Sequence, residues 1–230
     1  MNIRIKVIFG VMSDMIAFRD GVTGGHLDRT SKYLELLIKR MAEKGLYSHM
    51  LHRWDLDLLL CSAPLHDVGK IAISEELLNK PGKLTTDEFE VMKTHAARGV
   101  QILDRIDINC DERPQIRYAR TIAGTHHEKW NGSGYPNGMY GIHIPLEGRL
   151  MAIADVYDAL ISNRAYKKAI APAKAAAIIE EGSGTHFDPQ LVDIFRDVSH
   201  HFEHIASRFS DNNPEACGAN RKFAACGAIA

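Results

Sequence analysis

The amino-acid sequence predicts an all-α fold, and three observations carry that expectation. Apolar residues recur at helical spacing along most of the 230 residues. No segment sustains the period-two alternation of a half-buried strand. The punctuation is helical too: capping signals precede apolar stripes, and prolines stand where first helical turns begin.

Met1 to Phe18 is apolar but interrupted by Arg4, Lys6 and Asp14. It falls short of the run of about 20 apolar residues that a membrane helix needs, and no small-residue cleavage site follows it. Residues 1–13 therefore read as a helical lead-in or the stump of a linker, and one domain is expected over 14–209. The first long helix opens at His26, after Gly24-Gly25, with Tyr33, Leu34, Leu37, Ile38 and Met41 on one face. Leu56, Leu59, Leu60 and Ala63 form a second apolar face. Asn79 to Lys83 is a turn, after which Thr85 and Glu88 fit a capping box for a helix carrying Phe89, Met92, Ala96, Gly99, Leu103 and Ile106 in one stripe. Further helices are expected over Glu112–His127, Leu146–Ile161, Pro172–Glu181 and Pro189–Phe209. Trp130 to Gly138 holds three glycines and a proline and must be a loop. Residues 210–230, without a clear apolar period, are expected to be poorly ordered.

Composition narrows the function. Twenty-eight basic residues against 29 acidic ones give a formal charge of −1, without the basic excess of a dedicated nucleic-acid binder. An apolar fraction of 45% excludes a disordered chain. Cys61, Cys110, Cys217 and Cys226 form no C-x-x-C pair, which suits free thiols in a reducing cytosol rather than a disulfide framework. The unusual count is 12 histidines.

Where the histidines fall is informative. His66 and Asp67 end a leucine-rich helix and precede Val68-Gly69-Lys70, so that Lys70 shares their surface if the helix continues. His95 lies among apolar neighbours, and His126 and His127 stand immediately before the glycine-rich loop. Asp155 interrupts the apolar run that starts at Leu150. One histidine on an apolar face is ordinarily a satisfied core residue. These residues together, on separate helices, suggest a metal site, because a buried aspartate needs a cation or several donors. Imidazole and carboxylate without thiolate suit iron, manganese, nickel, cobalt or zinc.

His66-Asp67 resembles the doublet of the HD superfamily of metal-dependent phosphohydrolases. The run from His126-His127-Glu128 to Gly134-Tyr135-Pro136 is similar to the HD-GYP subfamily, the bacterial cyclic di-GMP phosphodiesterases. The likeness extends from Thr23-Gly24-Gly25-His26 through Asn79-Lys80-Pro81-Gly82, Thr94-His95, Arg149 and Asp155 to Asp158, and on to Gly184-Thr185-His186-Phe187-Asp188-Pro189. It implies an HD-domain helical bundle with the Gly-Tyr-Pro loop beside a dinuclear centre. One divalent ion, iron or manganese before nickel, cobalt or zinc, would be held by His26, His66, Asp67 and Asp155. The other would be held by His95, His126, His127 and the same Asp67. Relatives of the three-metal type carry a glutamate four residues before the first histidine; Val22 stands there, with Asp20 two residues out of register, so two ions are expected.

By the same resemblance, Asp67 and Lys70 are catalytic, while Lys70, Tyr135, Arg164 and Lys167 bind substrate. Asp158 would orient a ligating histidine or a lysine. Cyclic di-GMP would open to pGpG and further to GMP. A cyclase domain docking on the glycine-rich loop and a homodimer are partners of the same standing; neither nucleic acid nor membrane is expected. Competing readings are another cyclic dinucleotide such as cyclic GMP-AMP, a di-iron oxygenase of the same superfamily, and a catalytically weak binding module. Without the resemblance, Arg164 and Lys167 read as surface charges, Tyr135 and Trp130 as loop packing, and Glu128 as an exposed residue outside the chemistry.

Overall fold

The computed structural model describes residues 3–20, 24–107, 114–163 and 168–209. Among them there is no strand, only an isolated bridge between Ser183 and Phe187. The helices are α1 (Ile3–Arg19), α2 (Gly24–Glu43), α3 (Ser48–Leu51), α4 (Leu56–Ser62), α5 (Glu75–Leu78), α6 (Thr86–Asp107), α7 (Pro114–Thr125), α8 (Leu146–Ile161), α9 (Pro172–Glu181) and α10 (Pro189–Arg208). Short 3₁₀ turns occupy Ala63–Leu65, Val68–Ala72 and Gly141–His143.

The expected start and stop signals operate physically. The Thr85 amide donates to Glu88 Oε2 at 2.7 Å and the Glu88 amide to Thr85 Oγ1 at 3.3 Å, closing the capping box of α6. Pro172 and Pro189 occupy first turns, where a missing N–H costs nothing. Asp188 caps α10 by accepting from the Gln190 amide. Two expected core positions lie elsewhere: Leu56 and Phe89 are exposed at 43% and 47%, because each sits in the first turns of its helix, beyond the packed face.

Two apolar clusters form the core. The larger joins α2, α4, α7, α8, α9 and α10 around Leu34, Leu37, Tyr157, Phe195 and Phe202, with the Tyr33 and Phe202 rings stacked at 4.2 Å. The smaller gathers Phe9 and Ile16 of α1 with Leu65, Val68, Leu103, Ile116 and Ala123. Cys61 packs against it; Cys110, Cys217, Cys226 and the tail 210–230 lie outside the described residues. Helix α7 feeds both clusters, Ile122 into the larger and Ala123 into the smaller. Leu65 and Val68, both buried in the smaller, flank His66-Asp67. The doublet is thereby anchored against the smaller cluster.

The 3₁₀ turn Val68–Ala72 lies directly on α6. A Cβ on Gly69 would come within 1.9 Å of the His95 carbonyl oxygen and 2.5 Å of the Gly99 amide nitrogen. Only glycine permits this approach, which brings Asp67 and Lys70 up against the histidine of α6.

Candidate metal centre

The helix does not continue through Lys70: two 3₁₀ turns meet at His66-Asp67 instead. Lys70 still shares a surface with Asp67, for a different reason: at about three residues per turn, positions i and i+3 eclipse. Lys70 Nζ lies 2.9 Å from Asp67 Oδ2 and 2.7 Å from Asp20 Oδ2 at the end of α1.

Two groups of potential donors meet at Asp67. Atoms of Asp67, His95, His126 and His127 all lie within 4.8 Å of one another, as do those of His26, His66 and Asp67. Asp67 Oδ1 faces His95 Nε2 at 3.3 Å and His126 Nε2 at 3.8 Å, whereas its Oδ2 faces His66 Nε2 at 3.3 Å. Asp155 Oδ1 stands 3.9 Å from the Nε2 atoms of both His26 and His66. Four helices and one turn thus deliver side chains separated by 129 residues of sequence to one point.

Four of the rings are aimed by their other nitrogen. His66 Nδ1 bonds the Ala63 carbonyl at 3.0 Å, His95 Nδ1 that of Met92 at 2.7 Å, and His126 Nδ1 those of Ile122 and Ala123 at 3.0 and 3.2 Å. A carbonyl can only accept, so Nδ1 carries the hydrogen and Nε2 presents a lone pair. His126 follows the last residue of α7; its amide donates to the Ile122 carbonyl at 3.0 Å, and its ring bonds the same carbonyl and that of Ala123 while turning Nε2 inward. His26 Nδ1 instead meets Asp158 Oδ2 at 2.8 Å, and Arg29 grips the same carboxylate through Nε at 2.6 Å and Nη2 at 2.9 Å.

What these rings point at is the decisive feature. His66 Nε2, His95 Nε2, His126 Nε2 and Asp67 Oδ1 are all buried without a hydrogen-bond partner. Four such atoms converging on one spot are expensive unless a cation fills it.

Electrostatics prepares the same occupancy. Burial pushes His126 down to about 4, and burial likewise lowers His95 and His127. All three are neutral at physiological pH, as metal ligation requires. Burial alone would raise Asp67 and Asp155. Lys70 and His66 overcome it for Asp67, and His66 and His26 for Asp155, holding both carboxyls low and ionised. His66 is the exception among the rings: burial lowers it, but Asp67 and Asp155 win and raise it.

Tyr135 tilts over the His127 ring at 4.7 Å, so the loop tyrosine roofs the cluster. Arg164, Lys167 and Val22 lie outside the described residues. Glu128 corrects the sequence reading: it is 2% exposed rather than at the surface. Its carboxylate accepts the amides of Asn137 at 2.8 Å and Met139 at 3.0 Å, pinning the far side of the loop. Gly134 passes so close that a Cβ would lie 2.3 Å from the Lys129 nitrogen. The available signal was an acid just before a glycine-rich segment whose amides have no helix to join. His186, part of the Gly184–Pro189 likeness with no role assigned there, supports the loop. Its carbonyl accepts the Trp130 amide at 3.0 Å and its ring stacks on Phe187 at 4.2 Å. Arg149 was matched only as part of a motif; it pairs with buried Asp188 at 2.6 Å and lies 5.9 Å from the Trp130 ring, bracing the loop's start.

With fold and donor cluster described, comparison with known proteins becomes specific. The HD domain family matches residues 10–191, and the chain belongs to that family. A cyclic di-GMP phosphodiesterase of Vibrio cholerae serotype O1 is 49% identical over 200 residues, covering 87% of this chain and 41% of its own length. A 3′3′-cGAMP-specific phosphodiesterase of the same organism is 40% identical, covering 86% of this chain and 35% of its own. The chain spans less than half the length of these curated relatives. A solved HDG"Y"P protein from Bdellovibrio bacteriovorus shares the fold at a TM-score of 0.53 and 21% identity, covering 76% of this chain and 52% of that one. HD domains are metal-dependent, and the cluster around Asp67 can hold metal. Among the described residues no helix is long and apolar enough to cross a membrane.

Proposed function

We propose that this chain hydrolyses cyclic di-GMP to pGpG, and onward to GMP, at a two-metal centre. The observation that carries the reading is the set of buried, partnerless Nε2 atoms gathered around one carboxylate. The residues fit the implied ions: His26, His66, Asp67 and Asp155 would hold one, and His95, His126, His127 and Asp67 the other, with iron or manganese the preferred metals. Bound there, such ions supply an activated water and positive charge at the scissile phosphate.

The chain's own residues do the rest. Asp67, with Oδ1 turned to one group of rings and Oδ2 to the other, links the two sets of ligands. Lys70 donates to a non-bridging phosphate oxygen as a point cation. Tyr135 closes one wall against His127 and excludes water from that side. Asp158 holds the His26 proton on Nδ1, leaving Nε2 as the ligand atom. Arg164 and Lys167 bind the substrate phosphates as further cations.

The substrate assignment draws on the relative named a cyclic di-GMP phosphodiesterase at 49% identity. A relative at 40% named for 3′3′-cGAMP makes that dinucleotide the second reading. The test is product analysis on anaerobically purified protein given iron, manganese or no metal, with each dinucleotide in turn. Metal-dependent pGpG or GMP, abolished in Asp67→Asn together with most of the bound metal, is the expected result. Turnover of cyclic GMP-AMP alone would move the assignment to the second reading. A fully active, metal-replete Asp67→Asn would overturn the ligand set.

A further inference from the structure

The end of α1 reaches into the site from outside either ligand group. Arg19 donates to the Ile73 carbonyl at 2.6 Å and also to that of Ile71, docking α1 on the 3₁₀ turn that carries Lys70. The next residue, Asp20, places Oδ2 2.7 Å from Lys70 Nζ, and both side chains are only 13% exposed. Asp20 belongs to neither set of potential metal donors.

A lysine beside two dications faces a difficulty. An ammonium has three N–H donors, and here one goes to Asp67 Oδ2 and one to Asp20 Oδ2. When Asp67 spends its oxygens on cations, its hold on Lys70 weakens while like-charge repulsion appears. Lys70 then needs a second anion that does not itself bind metal, delivered by an element that cannot move away. Asp20 meets each condition, because the Arg19 bonds fix the end of α1 to the same turn.

We infer that Asp20 is a positioning residue: its carboxylate keeps the Lys70 ammonium at the rim of the cluster once metal is bound, with the remaining N–H turned to a phosphate oxygen. The inference rests on the two-metal reading above and extends it to α1, a helix with no ligand of its own.

The test compares parent, Asp20→Asn, Asp20→Glu, Lys70→Met and the Asp20→Asn/Lys70→Met double variant, all loaded with manganese. Activity is read on bis(p-nitrophenyl) phosphate as well as cyclic di-GMP, and bound metal is counted for each. A charge-assisted hydrogen bond of this kind corresponds to a roughly ten- to hundredfold loss of kcat/KM in Asp20→Asn. Metal content should stay at the parent level, Asp20→Glu should recover part of the loss, and the double variant should be no worse than Lys70→Met alone. Independently of turnover, the Lys70 ammonium signal in a ¹H–¹⁵N NMR spectrum of the zinc-loaded protein should be present in the parent and lost in Asp20→Asn.

Loss of an ion in Asp20→Asn would make Asp20 a ligand and overturn the inference. So would additive losses in the double variant, parent-like activity, or a Lys70 signal that survives. A parent that cleaves bis(p-nitrophenyl) phosphate but not cyclic di-GMP would count against the substrate reading alone, and the Asp20 comparison would still be decided on the simple diester.

Discussion

On the α2–α8 side of the cluster, His26 is backed by a carboxylate, Asp158, that is itself clamped by Arg29. On the α6–α7 side, His95 and His126 are backed by main-chain carbonyls of their own helices. Both arrangements put the hydrogen on Nδ1 and the lone pair on Nε2, yet they differ in kind. A carboxylate partner adds basicity to the ring and depends on a buried ion pair built by three side chains. A carbonyl partner comes with the helix and survives any side-chain substitution that leaves the helix intact. His26 is therefore tunable by mutation behind it, whereas His95, His126 and also His66, which bonds the Ala63 carbonyl, are set by the main chain.

Asp158→Asn breaks this comparison most sharply. The amide oxygen can still accept from His26 Nδ1, but the charge that raises ring basicity is gone. Affinity for one ion should fall by roughly 10–100-fold, while the second, on the carbonyl-backed side, stays bound. Metal counting against a chelator series reads this directly, and parallel loss of both ions would erase the distinction drawn above. The variant should also lower thermal stability, since taking the charge from one partner of a buried ion pair costs about 3–5 kcal/mol.

The asymmetry explains how much could be read in advance. Helices ruled by local signals were legible: Leu146–Ile161 and Pro172–Glu181 have the expected bounds, because a proline at the start and the apolar period agree there. The candidate ligands stood out because charged and imidazole side chains inside apolar stripes are costly. The turn at His66-Asp67 was not legible as such. It depends on Gly69 fitting against the His95 carbonyl, a contact between two elements that no local period records. Glu128 escaped for a related reason: its partners, the amides of Asn137 and Met139, carry no side-chain signature. Phe89 misled in the opposite direction, since helical spacing cannot tell where a helix outruns its neighbours.

Acid sharpens the comparison further. On the carbonyl-backed side His126 titrates at about 4 against 6.5 when unfolded, and His186 near the loop behaves alike, both because burial disfavours the charged ring. Between those values the unfolded chain binds protons that the folded chain does not. Stability of metal-free protein must then fall as pH drops from 6.5 toward 4. His66, whose value is raised, acts above this window: it adds stability as pH falls toward 6.5 and contributes a constant amount below it. On the other side, burial is overcome at Asp155 and Asp158 by His66, His26 and Arg29, so these carboxyls lose their stabilising effect only as pH falls below 3.8. Thermal unfolding of chelated protein across this range should show the first decline, and His126→Gln should flatten it. A midpoint unchanged from pH 7 to 4.5 would contradict the assignment.

The smallest expected effect separates the cluster from its roof. Burial raises the Glu128 carboxyl, but two backbone amides keep it useful as an acceptor. Glu128→Gln retains one oxygen and turns an NH₂ toward the other amide, so a single hydrogen bond of about 1 kcal/mol is lost. Tyr135, on the same loop, would then sample positions away from His127. Amide exchange at Asn137 and Met139 should quicken severalfold, and under the proposed function KM for cyclic di-GMP should rise by a few-fold. Metal content should not change, because no ligand ring uses Glu128 for its Nδ1 bond among the described residues. Loss of metal in this variant would mean that the loop, and not the α7 carbonyls alone, holds His126 in place.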